Sequence, residues 1–262
     1  MGREAESEGS FLAARGQRRG VSLLVFLLLL LTILALVASC IVLDMCLREG
    51  LHSAMCIGKL TQIGRALCDY HVKHGAFPPA HLCDKTGKPI NSWRTLIVPG
   101  YLGGDPLTAY DFAKPWNNPE NSRLVPRTWD MFRCPSAGSE EPRITNYVAV
   151  VGPNTMWPGC KPAKQAADGS DKDKILVIEV TNSDILWMEP RDLTLEQALD
   201  AIQPKTGIYI GSRDRDGIHY VTVGGEVRTL APNIDRESLR KLLVRDTPEA
   251  SLSPAWNHPD TY

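Results

Sequence analysis

The chain reads as an α+β protein: a long N-terminal helix begins as a membrane span and packs its outer part on a mainly antiparallel β-sheet with short extra helices. Three observations predict this. An apolar run without charge or proline extends from Val21 to Leu43. Beyond it, Cys56, Leu60, Ile63, Leu67 and Tyr70 recur at helical intervals of three and four. After Pro79, short β-branched or aromatic runs lie between turn-rich connections, without the alternating helix–strand units of a doubly wound parallel sheet.

At about 1.5 Å of rise per residue, a helix over Val21–Leu43 is long enough to cross a hydrocarbon core of about 30 Å. Arg15, Arg18 and Arg19 precede it, and Asp44, Arg48 and Glu49 follow. The excess of positive charge before the span predicts a cytoplasmic N-terminus and an external remainder. A cleaved secretory signal is the rival reading. Its apolar region is usually about 7–15 residues, shorter than this run, and Ala38-Ser39-Cys40 is the nearest approach to a cleavage site. That triplet also faintly matches a lipoprotein box. The expected organisation is a basic cytoplasmic tail over 1–20, a membrane span over 21–43 and its helical continuation over 44–75. A head domain over 76–244 and a loosely ordered tail over 245–262 follow, with residues 1–14 also loosely ordered.

The helix should stop at Gly75, which takes the left-handed conformation without a side-chain clash, and Pro78-Pro79 forbid its resumption. His71 and His74 fall in the last turn. There the free carbonyls favour a partly positive imidazole. Two ligands alone do not make a metal site, and no HExxH glutamate lies nearby. Further on, Leu96–Val98, Tyr147–Val151, Ile175–Val180 and Ile185–Trp187 read as strands, and Ile218–Val223 with Glu226–Leu230 as a hairpin turning on Gly224-Gly225. Thr194 and Gln197 form a capping box for a helix through Ile202, and Asp235 caps another carrying Leu239, Leu242 and Leu243.

The 29 basic and 30 acidic residues are interspersed, without the basic stripe of a nucleic-acid binder. Of seven cysteines, Cys40 lies within the span and Cys46 just beyond it. Cys56, Cys68, Cys83, Cys134 and Cys160 would face an oxidising compartment, an odd set that leaves one thiol over. No CxxC supports a zinc ribbon. Cys56 shares the helical face of Leu60, Ile63 and Leu67, and Cys134 lies between Phe132 and Pro135, at an expected strand end over that helix. A Cys56–Cys134 bridge is the leading expectation, worth up to about 4 kcal/mol in the chain-entropy model. Cys68 is turned about 120° from Cys56 and cannot reach it within one helix. Cys83 and Cys160, both in loops, form the next candidate pair.

The stretches CIGKLTQIGRALCDYHVKHGAFPPA, SWRTLIVPGYL, YDFAKPWNNPEN, FRCPS, TNYVAVVGPNTMWPG, ILVIEV and DILWMEPRDL occur in this order. Together they resemble the bacterial prepilin-like domain-of-unknown-function family 1559, from about Cys56 to Leu193 and less clearly to Leu243. The resemblance implies a pilin-like fold, with a membrane helix running into an α/β head outside the inner membrane. It also implies the lipid bilayer and pseudopilin or secretion-system components as partners, and it carries no catalytic residues. Two departures stand out. Prepilins have glutamate at the fifth mature position, where a cut after Gly20 would place Val25. Poor processing by prepilin peptidase and no long pili are therefore expected. The C-terminal motif His, then Phe-x-Asp-Gly-Ser-Val-Arg, survives only as His219 and Gly224-Gly225-Glu226-Val227-Arg228.

Three constellations could carry chemistry. Glu179, Glu189 and Asp192 could chelate a cation or, near tryptophan, do acid–base work; alternatively Glu189 and Asp192 bracket Pro190 and cap the next helix. Ser136 lacks a GxSxG context. Trp93, Trp116, Trp129, Trp157 and Trp187 read as loops closing over the sheet or as a stacking platform. The expectation is a membrane-anchored structural or interaction protein, without enzyme activity, cofactor or metal. The alternative is an extracytoplasmic binding module or hydrolase, favoured if Glu179, Glu189, Asp192 and His219 share one pocket.

Overall fold

The computed structural model describes residues 4–101, 109–124, 130–135, 141, 143–165, 169–202, 207–211 and 217–246. Its chain divides into two compact units, Met1–Gly50 and Leu51–Tyr262. Helix α1 (Glu4–His74) supplies residues to both. It starts at Glu4, well before Val21. In the first unit, the described side chains of the apolar run are exposed, Phe26, Leu31 and Leu36 among them.

In the second unit, α1 from Leu51 onward changes character. Cys56, Leu60, Ile63 and Leu67 are all completely buried. Burying each of the three aliphatic side chains contributes about 1.5–3 kcal/mol relative to exposure. The helix ends where Gly75 adopts φ +72° and donates its amide to the His71 carbonyl at 2.8 Å. The last-turn histidines pack on aromatic rings. His74 stacks on Tyr70 and His71 packs on Phe77. Burial lowers the pKa of both, with Lys73 adding to the effect at His74, and this opposes the attraction of the helix end for a charged ring.

The central sheet runs β3 (Tyr147–Val148), β5 (Ile175–Thr181), β8 (Ile218–Thr222), β9 (Val227–Leu230), with β7 (Tyr209–Ile210) also pairing to β5. All these pairings are antiparallel. A two-stranded antiparallel ribbon, β1 (His81–Cys83) with β2 (Pro89–Ser92), and a short parallel pair, β4 (Val150–Val151) with β6 (Leu193–Thr194), complete the strands. The sheet content is thus mixed, and the fold is the pilin-like α+β arrangement, with the long helix packed on strands and short helices around them.

Alternation along the strands sorts two cores. Tyr147, Val177, Val221 and Val223 join the α1 residues, Trp93, Phe132, Trp157 and Trp187 on one side. Val148, Ile178, Val180, Ile218 and Tyr220 join α4 (Leu195–Asp200) and α5 (Arg236–Leu243) on the other. Strand β5 is therefore buried along its whole length. Thr194 caps α4 through a reciprocal capping box with Gln197, and α4 ends at Asp200, short of Ile202. Asp235 caps α5 by accepting from the amides of Glu237 and Ser238.

Two strand expectations fail. Leu96–Val98 lie inside α2 (Trp93–Tyr101), a buried helix with Pro99 within it, and Ile185–Trp187 make only an isolated bridge between Leu186 and Ile144. Tyr147–Val151 is split into β3 and β4, with different partners. The hairpin turn has three residues rather than two: Thr222 donates to the Glu226 carbonyl across Val223-Gly224-Gly225. Gly225 occupies the left-handed position at φ +82°.

Candidate functional site

On the face of the sheet towards α1, a carboxyl group meets a disulfide. Cys56 and Cys134 are bonded, with Cα atoms 5.3 Å apart. Among the described residues, one set of three His, Cys, Asp or Glu residues brings its ligand atoms within 4.8 Å of one another: Cys56, Cys134 and Glu179, all buried. The two sulfurs are joined to each other, so the set is a disulfide beside a carboxyl group rather than three metal ligands. Its placement follows from register. Glu179 lies opposite Tyr147 across the β3–β5 pair, and the Tyr147 hydroxyl donates to the Cys56 carbonyl at 3.4 Å. Cys134 follows a 3-10 turn (Asp130–Phe132) held by Asn146, whose side-chain oxygen accepts from the Cys134 amide at 3.0 Å. Lys59 fastens the same segment to α1, donating to Asp130 and to the Arg133 carbonyl, each at 2.8 Å.

The neighbouring strand contributes His219. The β5–β8 register pairs Ile178 with Tyr220, which brings Glu179 and His219 to adjacent strands. His219 is buried, with Nε2 3.2 Å from Ser53 Oγ on α1 and Nδ1 3.1 Å from Thr229 Oγ1 on β9.

Asp192 and Glu189 have other partners. The Asp192 carboxylate accepts from Arg94 Nη2 at 2.6 Å and from the Ala149 amide at 2.8 Å, and neither charged side chain is exposed. Arg94 also donates from Nε and Nη2 to the Tyr147 carbonyl and lies over the Trp93 ring at 4.8 Å. Asp192 is therefore an internal counter-ion, and the helix cap expected of it is Thr194. Glu189 pairs with Arg191 at 2.7 Å and accepts from the Leu186 amide. The four residues whose clustering the alternative reading required divide into a pair facing α1 and two carboxylates held by arginines.

Cys83 and Cys160 form the second disulfide, with Cα atoms 5.6 Å apart. Cys68, a free thiol on α1, has its pKa raised by burial and by Asp69. Trp93, Trp157 and Trp187 are core residues, which leaves these three unavailable as a stacking platform, and Trp116 is partly buried against that core. Trp129 and Ser136 lie outside the described residues. Sequence reasoning missed Arg94, whose partner is 98 residues away, and Asn91 and Asn121, buried side chains that tie loops by bonding backbone carbonyls. The helix-type spacing of Trp93 and Ile97 was a signal for α2.

Val25–His74 is the helix, among the described residues, that is long and apolar enough to cross a membrane, with an 18-residue window of mean hydropathy 3.1. The model of the family described as "Protein of unknown function (DUF1559)" matches residues 48–200. No curated protein and no solved structure is significantly similar to the chain.

Proposed function

Since the chain belongs to the DUF1559 family, we propose that it acts as a membrane-anchored, pseudopilin-like structural or interaction protein without catalytic activity. One observation carries this reading: α1 combines an apolar stretch able to span a bilayer with buried positions from Cys56 to Leu67 that form the core of the folded unit. The anchor and the domain it presents therefore belong to one helix. The arginines before the span support an N-terminus inside the inner membrane and a folded domain outside it. The two disulfides suit that oxidising side. Its partners are the bilayer and pilin-like or secretion-system proteins of the same membrane.

The binding-module or hydrolase alternative asked for Glu179, Glu189, Asp192 and His219 together. Asp192 and Glu189 are instead occupied by Arg94 and Arg191. Crosslinking with mass spectrometry on native membranes tests the proposal. Crosslinks from the folded domain to other single-span membrane proteins are expected. Recovery of the chain from the soluble fraction without protein neighbours would contradict it.

A further inference from the structure

We infer that Glu179 is the internal base that closes the Cys56–Cys134 disulfide. The inference stands on geometry and does not depend on the function proposed above. Three atoms, Cys56 Sγ, Cys134 Sγ and a Glu179 carboxyl oxygen, lie within 4.8 Å of one another in a site where all three residues are buried. In such a place water cannot take up the proton that a thiol must lose before it attacks, because the thiolate and not the thiol is the nucleophile. A carboxyl oxygen within 4.8 Å of both sulfurs is the base the protein itself places there.

The two cysteines are not equivalent. Cys56 sits in the middle of α1, fixed by the helix on both sides. Cys134 lies between elements, after the Asp130–Phe132 turn. An external disulfide, either a small-molecule disulfide or that of a dithiol oxidase, would therefore react first with Cys134, before the segment docks. One sulfur of the oxidant bonds to Cys134 and the other leaves as a thiol. Docking then brings the mixed disulfide to α1. Cys56 Sγ gives its proton to Glu179 and attacks Cys134 Sγ. The Cys56–Cys134 bond forms, the bond from Cys134 to the oxidant breaks, and the second oxidant sulfur leaves as a thiolate. Glu179 returns the proton to that thiolate. The protein loses two electrons, the oxidant gains them, and the carboxylate is regenerated.

The titratable groups facing Glu179 are Cys56 from α1, Cys134 from its segment, Tyr147 from β3 and His219 from β8; Lys59, one turn along α1, is held by Asp130. Of these, Tyr147 uses its hydroxyl on the Cys56 carbonyl and His219 its two nitrogens on Ser53 and Thr229. Glu179 is the one that meets both sulfurs.

The test uses the full-length chain in detergent, fully reduced and then exposed to oxidised glutathione at a series of pH values. Closure of each bond is followed by alkylation and peptide mapping. Cys83–Cys160 is the control inside the same molecule, since among the described residues no carboxylate or histidine forms such a three-atom set with it. Glu179→Gln, which keeps the shape and removes the base, should slow Cys56–Cys134 closure about a hundredfold or more, the lower end of general-base effects. It should also abolish an inflection in that bond's pH profile, while Cys83–Cys160 closes as in the wild type. Equal closure rates in wild type and Glu179→Gln, or an inflection that survives the substitution, would overturn the inference. Should the variant slow both bonds by misfolding, Glu179→Asp, which keeps a carboxylate base, decides: closure of Cys56–Cys134 restored towards the wild-type rate supports Glu179, and closure as slow as in Glu179→Gln overturns the assignment.

Discussion

Arg94 and Asp192 meet at 2.6 Å with neither side chain reaching solvent, although 98 residues separate them in the chain. The pair joins α2 to the segment before β6, and through Tyr147 and Ala149 it also fixes the β3–β4 corner. Removing one partner leaves a buried charge without its counter-ion, a loss of about 3–5 kcal/mol. Asp192→Ala should therefore lower the chemical-denaturation midpoint by a corresponding amount. A change below about 1 kcal/mol would show that the arginine finds water or another partner.

Two glycines on α1 predict opposite outcomes for the same substitution. A Cβ on Gly64 would meet Val221 Cγ2 at 2.5 Å, whereas a Cβ on Gly58 has nothing within 4 Å. Gly64→Ala should destabilise by about 1–3 kcal/mol through overpacking against β8. Gly58→Ala should stabilise by up to about 1 kcal/mol through helix propensity. Thermal unfolding of the two variants in the same detergent separates close packing from propensity, and equal shifts would refute the close approach at Gly64.

The two disulfides span almost the same separation, 78 and 77 residues, so the loop-entropy contribution is nearly equal, up to about 4 kcal/mol each. They differ in surroundings: Cys56 and Cys134 are buried, while Cys160 is exposed. Replacing both members of the buried pair with serine should cost about 1–3 kcal/mol more than the same change at Cys83 and Cys160, because two hydroxyls enter an apolar core. Equal losses in denaturant titrations would show that burial contributes nothing.

Acid should weaken the folded unit partly through His81. Burial lowers its pKa, and Arg94 adds to the effect while Asp192 and the Ala80 backbone oppose it. The unfolded chain then binds a proton at higher pH than the folded one. Stability is unaffected above the ordinary histidine value of about 6.5 and falls as pH drops below it. His81→Gln should flatten that acidic limb, and an unchanged pH–stability curve would exclude His81 as a contributor.

Processing at the N-terminus offers a further check. With Val25 where prepilins place glutamate, cleavage between Gly20 and Val21 should be poor and long pili absent. N-terminal sequencing of the mature protein should not begin at Val21. A methylated Val21 would contradict the expectation outright.

Much of this architecture was legible because its causes are local. The stop at Gly75, the Thr194–Gln197 box and the Asp235 cap are set by residues within one turn. Leu96–Val98 misled because Ile97 and Val98 favour strands by propensity, while burial of Trp93, Ile97 and Val98 in the α1-side core is compatible with a helix. The role of Asp192 was hidden for the opposite reason. Its position near Thr194 suggested a cap, but its partner Arg94 is 98 residues away, on a helix whose Ile97-Val98 read as a strand. Glu179 was singled out as a carboxylate, and its contact with the Cys56–Cys134 pair became visible only through the register of β3, β5 and β8.

The proposed function places a single membrane anchor in the bilayer and the folded unit outside the cytoplasm. A reporter active only in an oxidising compartment, fused after Tyr262 and assayed in membrane and soluble fractions, tests it most directly. Activity is expected, confined to the membrane fraction and retained after a salt wash. A reporter that is inactive when its cytoplasm-active counterpart works, or activity found mainly in the soluble fraction, would contradict it.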